Sequence, residues 1–141
     1  MMKRSTYNII IISCCALMMI FSFFISRKKN TLKEAKKLPF YNTQLENVAD
    51  GIYEQTTNTS FMHLTLDVTV KDHKLTKIDI VKNEGSAGKK VEEITEKMIA
   101  ENKVIVDLIN GEEVASLVFL SCVDGAISQG VIDNGQVDLS N

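Results

Sequence analysis

Proline occurs once in this chain, at Pro39, and no low-complexity run is present. A disordered or proline-rich spacer protein is thereby excluded; 45% hydrophobic and 24% charged residues is the composition of a folded protein, with room for one domain of ordinary size. An excess of one charge is missing too. The formal net charge of −2 is too small to argue for nucleic acid or any other strongly charged partner. Cysteine is scarce: Cys14 and Cys15 lie in the apolar N-terminal stretch, so Cys122 is the only thiol left to a folded domain, and no disulfide framework can form within it. Cys122 falls in VASLVFLSCV and reads as a small buried core residue. The only histidines, His63 and His73, fall on a strand and a turn, away from Ser121-Cys122, and no metal-ligand spacing occurs. Asn83 to Gly88 follows neither the dinucleotide fingerprint nor the phosphate-loop Gly-Lys-[Ser/Thr]. No catalytic or metal-ligating residue is assigned, and the signal for a stand-alone enzyme is poor.

What is present begins with a long apolar run. From Tyr7 to Ser26 there is no charged side chain, and about twenty helical residues cover the roughly 30 Å of a bilayer's hydrocarbon core. A secretory signal would end in small residues at a cleavage site, whereas Phe21, Phe23, Phe24 and Ile25 run straight into Arg27-Lys28-Lys29. Residues 1–27 therefore read as an uncleaved transmembrane anchor in the cell membrane. The competing reading is a lipoprotein signal, since Ile11-Ile12-Ser13-Cys14 has the look of a lipobox; the apolar sequence after Cys14 opposes it. Lys3 and Arg4 precede the run, but Arg27, Lys28, Lys29, Lys33, Lys36 and Lys37 follow it. Counting basic residues alone puts the domain in the cytoplasm.

Residues 28–49 read as a polar tether, lysine-rich at first and broken by Pro39, 50–128 as the folded domain and 129–141 as a tail. DGIYEQ is a short strand candidate. Met62, Leu64, Leu66, Val68 and Val70 alternate with polar residues, Lys71 to Lys74 make a turn, and Thr76, Ile78 and Ile80 resume the alternation, giving a two-stranded meander with one apolar face. The period then lengthens: Val91, Ile94, Met98 and Ile99 predict an amphipathic helix. A short strand is expected over Val104–Leu108. From Glu112 onward, Val114, Leu117, Val118, Phe119, Val123 and Ala126 predict a second, more buried helix, with Glu112 and Glu113 in the first turn, where negative charge suits the helix dipole. VIDNGQVDLSN forms a small hairpin about Asn134-Gly135 or frays. The class is α+β: a small antiparallel sheet packed by two helices, preceded by one N-terminal transmembrane helix.

Four stretches, in order, resemble the FMN-binding domain of membrane flavoproteins, including subunits of the sodium-pumping NADH:quinone reductase and the Rnf electron-transport complex. Asp50-Gly51-Ile52-Tyr53-Glu54 is similar to D-G-x-Y-x-G. Val68-Thr69-Val70-Lys71-Asp72 with Ile78-Asp79-Ile80 is similar to V-x-V-x-x-x-x-I-x-x-I, and Gly88-Lys89-Lys90-Val91-Glu92 to G-x-x-A-E. Val106 to Ser116, VDLINGEEVAS, falls on V-D-x-x-[ST]-G-A-T-x-[ST]-S, the flavin-attachment motif. The resemblance spans about Asp50 to Ile127. It implies a flavin site at Asp107, Asn110, Gly111, Glu112, Glu113 and Ser116, a domain outside the cytoplasm and redox-complex subunits as partners.

In that family a threonine of the motif is esterified to the FMN phosphate near a helix N-terminus, where free backbone N–H groups favour an anion. Here that position is Glu113, which has no hydroxyl, and the alanine before it is Glu112. Asn110 replaces the motif's Ser/Thr, Gln55 the glycine after Tyr-x, and Asn83 stands where many members have histidine. The expectation is a membrane-anchored domain of extracytoplasmic flavin-based electron transfer without covalent FMN. Two readings stand: FMN held noncovalently, or a flavin-free accessory or interaction module of the same fold.

Overall fold

The computed structural model describes residues 4–85 and 89–132. The chain divides into two compact units between Lys33 and Glu34. The first consists of most of helix α1, Arg4–Ala35. Its apolar side chains are exposed all round, with Ile9, Ile12, Met18, Phe21 and Phe24 each more than 60% exposed. A helix apolar on every side belongs in a protein core or in a membrane. This one is long and apolar enough to cross a membrane.

The second unit is α+β. Strands β1 (Gly51–Asn58), β2 (Met62–Lys71) and β3 (Lys74–Gly85) form an antiparallel sheet in the order β1-β2-β3. The opening strand thus joins the meander, which has three strands rather than two. Met62, Leu64, Leu66, Val68 and Val70 point to one face and are at most 1% exposed. Asp72 and His73, with φ of 51° and 59°, make the two-residue turn whose twist suits a hairpin, and the Asp50 carboxylate accepts the Asp72 N–H at 2.8 Å. On β3 the expected alternation shifts: register irregularities opposite Thr65/Leu66 and Thr69/Val70 turn Leu75 and Ile78 inward, leave Thr76 exposed and Ile80 half-buried.

A 3₁₀ turn, Lys89–Glu92, leads into α2 (Glu93–Glu101), which packs on β3 through the buried Ile94 and Met98. The helix stops at Asn102, whose left-handed backbone (φ 49°) lets its Oδ1 accept the Leu75 N–H at 2.9 Å. Residues 104–108 form no strand. Val104 and Val106 are buried and Ile105 exposed, as alternation requires, yet among the described residues no neighbouring strand pairs with them. Helix α3 (Glu113–Ser128) lies across β2 and β1.

The expected tether is the largest departure. Helix α1 continues through its lysines to Ala35, which is fully buried, and Leu45 and Val48 join the core. The reason is α3. It is buried along nearly its whole length, Ala115 to Ile127, and a sheet can cover only one side of a helix. Residues 39–43 cover the other: Ser121 Oγ donates to the Pro39 carbonyl at 2.9 Å, and the Asp124 carboxylate receives the N–H groups of Tyr41, Asn42 and Thr43. This segment is a strap, not a spacer. The expected tail is also tied down at its start, because Ala49 N–H donates to Gly130 O at 2.8 Å and Ile132 N–H to Asn47 O at 2.7 Å. The Asn134-Gly135 turn lies outside the described residues, as do Lys3 and Gly88.

Candidate functional site

The stretch VDLINGEEVAS is the loop that leads into α3. Val106 is buried and fixes where the loop begins. Its far end is closed by three hydrogen bonds: Ile109 N–H to Ser116 Oγ at 3.1 Å, Glu112 N–H to Ile109 O at 3.0 Å, and Ser116 N–H to Glu112 O at 2.8 Å. Ser116, fully buried, thus pins the loop onto the first turn of the helix. Gly111 has φ +84°, and an added Cβ would meet nothing within 4 Å. Glycine is needed there for its backbone, not for space.

Across this turn Gly111 N–H donates to Glu113 Oε1 at 2.9 Å. The Glu113 side chain therefore folds back and supplies an anion to a backbone donor of its own loop. Gly111, Glu112, Glu113 and Ser116 are brought together. Asn110 is exposed at the tip of the turn, and Asp107 reaches instead to α2, its Oδ2 3.6 Å from Lys97 Nζ with the Asp107 side chain 98% exposed.

Gln55 and Asn83 have partners of their own. Gln55 Oε1 accepts from Gln129 Nε2 at 3.0 Å, and Asn83 Nδ2 donates to Glu92 Oε1 at 3.3 Å. Cys122 is buried, with Sγ 3.3 Å from the Gln55 carbonyl, and burial pushes its thiol pKa up. A thiol held protonated in a core is a poor nucleophile, as its sequence context implies. No group of three or more potential metal ligands occurs among the described residues.

The residue that sequence reasoning missed is Asp124. It is fully buried, and its Oδ2 lies 2.5 Å from Tyr41 N and 3.0 Å from Asn42 N while Oδ1 lies 3.0 Å from Thr43 N. A buried carboxylate is tolerated only where donors replace its water, and three backbone N–H groups do so here. A cleft of about 410 Å³ opens beside it, lined by Asn42 to Glu46, by Glu101 at the end of α2 and by Asn102 to Ile105 after it. The signal was a single acid inside the apolar run SLVFLSCVDGAI. Such an acid needs a partner from elsewhere in the chain.

The residues present do not fit covalently attached FMN. Glu113 offers a carboxylate where a phosphoester needs a hydroxyl, and that carboxylate already holds a donor at the helix start. Among known proteins, the chain matches no family model, no curated protein and no solved structure.

Proposed function

We propose that α1 anchors this chain as a single membrane span and that its α+β unit is a domain of FMN-binding type that works without covalent flavin. Its role is that of an accessory or interaction module beside membrane electron-transfer machinery. The observation that carries the reading is the hydrogen bond from Gly111 N–H to Glu113 Oε1 at 2.9 Å. The loop keeps the glycine and the serine that shape the attachment turn, while the acceptor has become an anion that would repel a phosphate and compete for its donors. Location outside the cytoplasm follows from the resemblance; the basic residues from Arg27 to Lys37 weigh against it. Active phosphatase fused at the C-terminus supports the outside location. Inactive phosphatase with an active cytoplasmic reporter reverses it.

The central test uses cells that also express the flavin transferase. The natural chain should give a denatured gel band without flavin fluorescence, and the variant carrying Asn110→Ser, Glu112→Ala and Glu113→Thr should fluoresce. A fluorescent natural band refutes the loss of attachment. A folded but dark triple variant counts against the family assignment. Titration of free FMN with the natural protein separates the noncovalent reading: quenching that saturates would replace the accessory role with a one-electron relay whose chemistry the flavin supplies.

A further inference from the structure

The two ends of the apolar run in α1 are unlike. Lys3 and Arg4 stand before it, whereas the other end carries three phenylalanines, Phe21, Phe23 and Phe24, followed by Arg27, Lys28, Lys29 and Lys33. The Arg27 guanidinium lies over the Phe23 ring, 4.8 Å from its centroid. An aromatic ring with a cation folded against it is suited to the boundary between hydrocarbon and headgroups. Arg27, Lys29 and Lys33 are exposed, and none of them has an ion-pair partner among the described residues. No acidic residue precedes Glu34 in the chain. Glu34 itself, in the folded unit, accepts the Ser60 N–H at 2.7 Å and the Ser60 hydroxyl, so its carboxylate is already engaged.

The placement of these cations distinguishes two ways a helix can meet a membrane. At 100° per residue, Lys29 and Lys33 share one face and Arg27 lies on roughly the opposite one. A helix lying in the interface carries its cations as a stripe along one face. Charges around the circumference suit a helix that crosses the headgroup layer. From Arg27 to Lys33 the helix rises about 9 Å, and the headgroup region on each side of a bilayer is about 5–8 Å deep.

We propose that Arg27 to Lys33 is a basic collar that recruits anionic phospholipid headgroups around the emerging helix. The proposal rests on α1 spanning the membrane, which carbonate extraction tests separately: release of the chain defeats the span, whereas retention leaves the collar to be decided on its own readout. That readout is the association of spin-labelled phosphatidylglycerol relative to spin-labelled phosphatidylcholine with the full chain in phosphatidylcholine nanodiscs. A preference on the order of fivefold at low salt is expected, the effect of one basic residue near a charged surface. It should fall towards one in high salt and in the variant carrying Arg27→Gln, Lys28→Gln, Lys29→Gln and Lys33→Gln. A ratio near one for the natural chain overturns the proposal. So does an unchanged ratio in the variant, or binding of RNA or an acidic polypeptide with no phosphatidylglycerol preference. If the variant is not recovered in membranes, the salt titration of the natural chain decides.

Discussion

Helix α3 carries two carboxylates that accept backbone N–H groups, and they behave as opposites. Glu113, exposed in the first turn, takes a donor from two residues away; Asp124, fully buried near the other end, takes three donors from residues 81 to 83 positions distant. The first interaction shapes a loop that the local sequence already bends. The second decides where a whole segment of chain lies. Burial of the acceptor and the number of donors set the difference in worth, because an exposed hydrogen bond exchanges freely with water while the buried Asp124 carboxylate depends on its three donors.

The strongest way to break this contrast is Asp124→Ala. It removes the acceptor shared by the part-buried amides of Tyr41, Asn42 and Thr43, and a loss of about 3 kcal/mol, on the order of 1 kcal/mol for each hydrogen bond, is expected in urea unfolding of the full chain and its variant. A loss below about 1 kcal/mol would mean that the strap is held by its apolar residues alone. Cys122 reports whether the damage spreads. In a background carrying Cys14→Ser and Cys15→Ser, its buried, protonated thiol should resist alkylation in the folded protein and react fully in urea. If Asp124→Ala loosens the strap without disturbing the sheet side of α3, labelling stays slow; fast labelling at zero denaturant shows that strap and core open together.

At the exposed end the effects shrink. Gly111→Ala should cost about 1–2 kcal/mol from its left-handed backbone alone, since no atom obstructs the new methyl group. Glu113→Gln should cost less than about 1 kcal/mol, the loss of one charge from a helix start. Should either match Asp124→Ala in unfolding experiments, the ranking of buried over exposed carboxylate is wrong.

The parts legible in the sequence are those whose cause is local. Alternation over Met62–Val70, the turn at Asp72-His73 and the periodicity of both helices express which face of an element is apolar, and the structure keeps each. Gly111 and Ser116, which the resemblance singles out, shape one turn. Alternation says nothing about whether a partner strand is at hand, which is why Val104–Leu108 has the pattern of a strand and forms none. It also passes over bulges, so Leu75 was not foreseen as an inward residue. The strap was illegible for a different reason: its polar amides point at an acid some eighty residues later, and only three-dimensional placement joins them. Helix α1 outran its expected end because lysine and threonine side chains do not stop a helix; the break comes with Pro39 and the turn before it.

The short pairing of residues 47–49 with 130–132, the Val48–Val131 bridge among them, bears on the order in which a ribosome delivers this chain. The hairpins emerge before the helices that pack on them, and the inner face of β2 has no cover until α3 has been synthesised. The strap and residues 47–49 emerge before them, yet Asp124, which holds the strap, and Gly130 and Ile132, which pair with Ala49 and Asn47, follow only with and after α3. The domain therefore cannot close by accretion from its N-terminus. A chain stopped short of Asp124 would present an uncovered apolar sheet to chaperones and proteases, so premature termination near the end should be as damaging in the cell as termination far upstream.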